Sequence, residues 1–566
     1  LTYPRATLAS FFLLFALSLL LPFFVIGTDF FPTTDVGILR LHFRAPSGTR
    51  IEESERIISQ AEERIRKIIP KDELETINSN IGVPIFYNLA FVPSDNTASM
   101  DTEILIALKE KHHPSQEYRA KIRKDFQENF PGSVIYFQPA DIVSQVLNFG
   151  LAAPIDLQFE SHDTNLAYEY AKKARDKLKM IPGAQDVVIR QVLDYPSLMI
   201  NLDRERSAHV GLTERDSTSS LLYALTGSGL VSPNYYINPE NNVNYQVVTK
   251  LPIREVASLN ELLGVTITPA GSAMINQQAG TTAVDMYPSP PAESIGNLAE
   301  VVPTVTMSQI NHVNVQKVID VLANVDGRDL GGVVSDIKEA LSSLGKLPKG
   351  LKIHFRGQNE VMEESFTKLG LGMILAAVLV YLLMVTLFQS WVDPLIIMLA
   401  IPGALSGILW ILAITGTTIN VESLMGTIMA IGIAVSNSNL MVNFANDFRV
   451  QQQRSDVTEA ALEAGKVRLR PVLMTAIAMV LGMLPMALGL SEAGAQNAPL
   501  GRAVIGGLLF STLTTLFIVP VAYAILRKSM PTKHEVRKKY FQEEAPFNQE
   551  LDREHKKDLE QSPGTA

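Results

Sequence analysis

The 566-residue chain contains no cysteine, which at once excludes a disulfide framework, a thiolate metal site and a cysteine nucleophile. It is also short of charge: 19% of its residues are Asp, Glu, Lys or Arg, against about 25% in ordinary soluble domains. The shortfall is concentrated in one block near the start and a longer one over residues 371–526. Membrane spans produce that distribution and a purely soluble enzyme does not. The formal net charge of -9 leaves no basic footprint for nucleic acid. No Walker loop, Gly-x-Ser-x-Gly or His-Glu-x-x-His occurs, so neither an enzyme nor a cofactor is expected. Methionines of the segment between the apolar blocks, such as Met100, Met180, Met199, Met274, Met286 and Met307, are scattered, which weakens the case for a soft-metal site. His112-His113 is the one adjacent pair among the nine histidines and reads as a solvated turn.

What is present begins with spans. Residues 6–28 carry no charge between Arg5 and Asp29. The stretch is long, has one basic residue before it and lacks a small-residue exit, so it reads as a spanning helix and not a signal peptide. Five further spans are expected at 369–392, 395–415, 423–445, 471–490 and 503–526, each near the requirement of about 20 residues. Six crossings put both termini on one side. The loop after the fourth span holds Arg449, Arg454, Lys466, Arg468 and Arg470, and the tail holds Arg527, Lys528, Lys533, Arg537, Lys538 and Lys539. The opposite loops hold only Arg502. The positive-inside rule therefore makes both termini cytoplasmic and sends the segment between spans one and two outward.

That external segment reads strand, helix, strand, strand, helix, strand, and then repeats. In the first round 36–43, with Val36, Ile38, Leu39, Leu41 and Phe43, alternates as a strand does, and 51–69 has apolar residues at helical spacing with Glu52, Glu53 and Glu55 near its start, where they suit the helix dipole. Strands at 73–78 and 102–108, a helix at 118–130 and a strand at 133–137 complete it. The second round has strands at 155–159, 186–189, 198–202, 315–322 and 351–355 with helices at 166–178 and 333–344. This is the order of the split βαβ, ferredoxin-like unit, used twice. The expected class is an α+β membrane protein. Its layout is a first span (1–28), an external subdomain (29–153), a second one (154–205 and 280–365) interrupted by a docking insertion (206–279), a five-helix bundle (366–527) and a charged, disordered tail (528–566).

Phe30-Phe31-Pro32-Thr33-Thr34-Asp35 followed by Ala45-Pro46-Ser47-Gly48-Thr49, the run from Arg468 to Thr475, and Gly494-Ala495-Gln496-Asn497 carry a resemblance. Over residues 1–527 the chain resembles the C-terminal half of a resistance-nodulation-division (RND) multidrug efflux pump inner-membrane subunit, of the hydrophobe/amphiphile efflux branch. The resemblance implies a proton-driven exporter of drugs, detergents or dyes in the bacterial inner membrane. It implies a trimer that works with a periplasmic adaptor protein, an outer-membrane channel and an N-terminal half supplying the proton-carrying carboxylates, on the same or a separate chain. Leu1 in place of Met fits a truncated reading frame. A protein-translocation accessory subunit of the same superfamily and a non-transporting scaffold are the alternatives. Heavy-metal export is a weaker one.

No span has an ionisable residue in its middle. The fourth has amides and hydroxyls: Ser436, Asn439, Asn443 and Asp447 recur at i, i+3, i+7 and i+11 on one face, with Asn437 beside them. The stripe is expected to point into the helix bundle, as interhelical glue or as a partner to carboxylates on another chain. By resemblance, Ser436 stands where the family has a lysine, Thr475 matches a relay-associated threonine and Arg468 a basic residue at the mouth of the proton path. Positive-inside anchoring also accounts for Arg468. The aromatic loop 79–100, with Phe86, Tyr87 and Phe91, is by resemblance the divider between two substrate pockets, and Tyr136 and Phe137 match pocket-lining aromatics. Ordinary strand packing is the alternative for that pair.

Overall fold

A computed structural model describes residues 4–32, 35–83, 94–148, 150–231, 233–252, 256, 258–267, 293–452, 456–489 and 492–527. Phe86, Tyr87 and Phe91 of the aromatic loop, and the tail from residue 528, lie outside the described residues. The chain divides into two compact units, Leu1–Arg190 with Ile310–Ala566, and Gln191–Gln309.

The larger unit begins with α1 (Pro4–Ser18). At 1.5 Å per residue it rises about 22 Å, short of the about 30 Å hydrocarbon core. The Ser18 hydroxyl donates back to Leu14 O at 2.8 Å and accepts from the Trp410 indole at 3.0 Å. A separate helical turn, Leu21–Phe24, follows with Pro22 in it. The single span expected over 6–28 is therefore interrupted, because Ser18 bonds back into the helix and Pro22 cannot donate to it. Beyond the turn the chain is pinned: Ile419 N donates to Gly27 O at 2.9 Å and Asp29 N to Ile419 O at 3.0 Å.

The first repeat is β1 (Ile38–Arg44), α2 (Ile51–Ile68), β2 (Leu74–Ile81), β3 (Asp101–Leu108), α3 (Ser115–Asn129) and β4 (Val134–Gln138). Its antiparallel sheet runs β2-β3-β1-β4. Leu39, Leu41 and Phe43 form one face of β1, and Phe43 meets Phe126 and Phe130 of the α3 end edge-on at 6.0 and 5.6 Å. Burying a side chain of that size is worth about 1.5–3 kcal/mol. The second repeat is β5 (Ile155–Glu160), α4 (Thr164–Leu178), β6 (Ala184–Ile189), β7 (Gln316–Val325), α5 (Leu330–Ser342) and β8 (Lys352–Gly357). Its strands run β6-β7-β5-β8, with Asn311–Val313 added beside β7. Asp163 caps α4 and Asp329 caps α5 through side-chain bonds to first-turn N–H groups. The repeats are stitched together by Asp186, which accepts from Phe137 N at 3.2 Å, Asn324 Nδ2 at 2.9 Å and Arg123 Nε at 2.7 Å.

The smaller unit is built on Tyr195–Leu202 paired along its length with Ala299–Thr306, over a core of Leu212, Ile267, Ile295 and Leu298. The strand expected at 198–202 thus belongs to the insertion and not to the second repeat, since its partner lies about 100 residues downstream. The insertion runs over 191–309 instead of 206–279. A hairpin in it, Asn234–Ile237 with Asn244–Val247, leaves Tyr235, Tyr236, Ile237 and Tyr245 exposed.

Five described helices are long and apolar enough to cross a membrane: α6 (Gln358–Phe388), α7 (Val392–Ile414), α8 (Val421–Gln452), α9 (Val457–Leu488) and α10 (Glu492–Leu513), the last continuing through a π-helical turn, Thr514–Ile518, to Leu526. Gly403 and Gly407 of α7 sit against Thr514, Gly506 and Phe510; a Cβ at either glycine would overlap those atoms. Small residues spaced by four let helix backbones approach where no hydrophobic drive separates helix from lipid.

Candidate functional site

A cleft of about 400 Å³ opens in the larger unit between Asp29–Phe31, β1, α3, the segment after β4 and the start of α5. Phe31, Val36, Ile38 and Phe137 form apolar walls, and Arg40, Arg119, Arg123, Arg328, Asp29, Asp141 and Asp326 the charged ones. Arg40 pairs with Glu103. Arg123 reaches Asp326 at 3.1 Å as well as Asp186, and Arg328 reaches Asp336 at 2.6 Å. Asp141 accepts from Ser144 N at 2.7 Å and Asp29 from Leu330 N at 2.8 Å. Burial pushes the Asp29 carboxyl up despite that bond.

The two strand aromatics separate. Phe137 lines the cleft with the Arg123 guanidinium 5.5 Å from its ring centre. Tyr136 turns the other way, is 1% exposed and stacks on His42 at 4.6 Å. Its expected place in a pocket wall is corrected to the interior, as the two-residue period of a strand requires.

Behind Tyr136 lies a buried charged layer that the sequence reading missed, although Arg40-x-His42-x-Arg44 facing Asp101-x-Glu103 was its signal. Arg44 Nε is 2.6 Å and His42 Nε2 3.3 Å from Asp101. Burial alone would raise the Asp101 carboxyl, but the His42 bond and the Arg44 charge hold it well below the usual carboxylate range. Arg190 spans from this layer to the second repeat: it pairs with Asp95, and its N–H donates to Asp320 O at 3.0 Å. In the second repeat Asp156 and Asp320 are both buried, and burial followed by the Asp320 charge pushes the Asp156 carboxyl up.

In the bundle, the polar stripe of α8 does not point inward. Ser436 and Asn443 are exposed, Asn439 is half-buried and Asn437 is buried. The face of α8 turned to its neighbours carries Ala434, Val435, Met441, Val442 and Ala445, and these apolar contacts leave Ser436 and Asn443 on the side that the described residues do not cover. Ser438, unremarked in the sequence, shares a hydrogen bond with Thr515 of the π turn at 2.8 Å. Thr475 is exposed and donates back to Pro471 O or Val472 O, at 3.2 and 3.0 Å. Arg468 lies over Phe444 at 5.1 Å, linking α9 to α8. At one end of the bundle a buried network ties three helices: Arg527 Nε to Asp393 at 2.9 Å, Asn446 Nδ2 to Asp393 at 3.3 Å, and the Tyr523 hydroxyl to Asn446 at 2.7 Å. Among the described residues no group of three or more His, Asp or Glu is arranged to hold a metal ion.

Two split βαβ repeats thus lie between a short apolar helix and five helices long and apolar enough to cross a membrane. Two crystal forms of a heavy metal efflux pump share this fold, at a TM-score of 0.74 and 22% identity, covering 93% of this chain and 50% of that one. The sequence pattern of the AcrB/AcrD/AcrF family matches residues 1–527, and the chain belongs to that family. Similar curated proteins include the cation efflux system protein CzcA of Alcaligenes sp. (strain CT14) and the cobalt-zinc-cadmium resistance protein CzcA of Cupriavidus metallidurans, each 28% identical over 529 residues, 92% of this chain and 47% of the relative. Protein HelA of Legionella pneumophila is 26% identical over 519 residues. The chain thus spans about half the length of the curated relatives it matches. Their names do not support the expected placement in the hydrophobe/amphiphile branch.

Proposed function

We propose that this chain is the C-terminal half of a proton-driven RND exporter of hydrophobic or amphiphilic compounds. It lies in the bacterial inner membrane with both termini cytoplasmic and the two repeats periplasmic. The observation that carries the substrate class is the cleft, where exposed apolar side chains sit beside arginines, a lining suited to flat amphiphiles and a poor seat for a divalent cation. The exposed Ser436 and Asn443 support the missing half as a partner: polar groups on an open helix face call for another polar surface within the membrane. There the carboxylates of the N-terminal half would meet these amides and hydroxyls, with Asn437, Thr475 and Arg468 nearby. The exposed aromatic hairpin of the smaller unit is a surface of the kind that oligomer contacts cover, in keeping with a trimer joined to a periplasmic adaptor and an outer-membrane channel.

The test supplies the N-terminal half and follows dye efflux. Ser436→Leu or Asn437→Leu is expected to abolish efflux without loss of assembly, and unchanged efflux in both would remove these residues from the relay. A second reading, export of a divalent cation, is favoured by the names of the CzcA relatives. Cells protected against zinc but not against dyes would establish it. A scaffold or a protein-translocation helper would move neither.

A further inference from the structure

We propose that the cleft seats an amphiphile with an anionic head and that Arg119 reads the charge, an inference that rests on the amphiphile reading above and narrows it. The first observation is an apolar wall left open. Val36, just before β1, and Ile38, its first residue, line the cleft at 37% and 43% exposure, although the rest of β1 is buried. The second is a charge left over. Arg40, Arg123 and Arg328 each have a carboxylate partner, and Asp29 and Asp141 are occupied by backbone N–H groups. Arg119 differs: among the described residues it has no ion-pair partner, and its Nε is buried with no hydrogen-bond partner. A buried donor left unpaired costs free energy, and a carboxylate, sulfate or sulfonate offers the paired acceptors that a guanidinium fork fits.

Geometry joins the two observations. Ser115, Arg119 and Arg123 recur every four residues on α3 and all line the cleft, so Arg119 stands on the helix face that looks across to β1. A head group at Arg119 leaves its tail to lie along Val36 and Ile38. Asp29–Phe31, which follow the first apolar segment directly, form another side. The ligand can therefore be a free amphiphile or a membrane lipid of the same head-group charge.

The test uses the full chain in a nonionic detergent and two dyes with the same rings, anilinonaphthalene sulfonate and uncharged N-phenylnaphthylamine, titrated by fluorescence. Arg119→Ala is expected to weaken the sulfonate about tenfold and to leave the neutral dye within about twofold, while Arg119→Lys recovers part of the loss. Equal sulfonate affinity in wild type and Arg119→Ala would overturn the head-group assignment, with neutral-dye binding still supporting the amphiphile reading. Equal loss of both dyes would overturn it too, because charge would not be what Arg119 reads. Failure of the wild type to bind either dye would overturn the amphiphile reading itself. Displacement of the sulfonate by deoxycholate identifies a free amphiphile and displacement by phosphatidylglycerol a lipid; displacement by neither overturns the proposal.

Discussion

The two repeats share one topology and differ in what they bury behind it. Both sheets place their strands in the split order, second-third-first-fourth. The first repeat backs its sheet with matched charges, Arg40 and Arg44 against Glu103 and Asp101, with the His42 ring beside Asp101. The second sets two carboxylates, Asp156 and Asp320, in the corresponding layer with Gln158. Fold and polar layer are therefore separable. The apolar face and the strand order make the ferredoxin-like unit, and the opposite face is free to be balanced in one copy and like-charged in the other.

That comparison predicts effects of opposite sign. Arg44→Met leaves Asp101 buried without its guanidinium and should cost about 3–5 kcal/mol of stability, read as a lowered unfolding midpoint at neutral pH. Asp156→Asn should do the reverse. The Asp156 carboxyl is pushed up on folding, so the native state holds its proton longer than the unfolded one, and stability falls as pH rises above the ordinary carboxylate range. The amide removes that fall, a gain on the order of 1 kcal/mol at pH 8 and none near pH 3. Destabilisation by Asp156→Asn at pH 8 would end the contrast. The smallest effect is expected at Glu73 of the first repeat, held at about 2 by bonds from the Tyr118 hydroxyl and the His113 backbone. A carboxyl lowered on folding contributes stability above its unfolded value and loses it as pH falls toward about 2. Glu73→Gln should therefore flatten the acid limb of a pH–stability curve and lower its neutral and alkaline side uniformly, without changing the slope there. His113 bonds Glu73 through both its N–H and its ring, so the turn expected to be merely solvated is partly anchored.

The elements of both repeats were legible because alternation and helical spacing are local. The Ile51 start of α2, the four strands of the first repeat and the helix that ends at Leu178 all fall within a few residues of expectation. Partner choice is not local. Tyr195–Leu202 alternates as any strand does, and nothing in it points to Ala299–Thr306. Hydropathy counts 6–28 as one apolar run and does not register that Ser18 bonds back or that Pro22 follows. In α8 the spacing correctly groups Ser436, Asn439 and Asn443, yet a period says which residues share a face and not which neighbour covers it. The same limit hid Arg119, whose meaning lies in the partners that Arg40, Arg123 and Arg328 have and that it lacks among the described residues.

The most direct test of the account places this chain and its N-terminal half in proton-loaded vesicles and follows a neutral naphthylamine dye and zinc in the same preparation. Proton-dependent dye transport with zinc left in place is the expected result. Zinc movement without dye movement would contradict it.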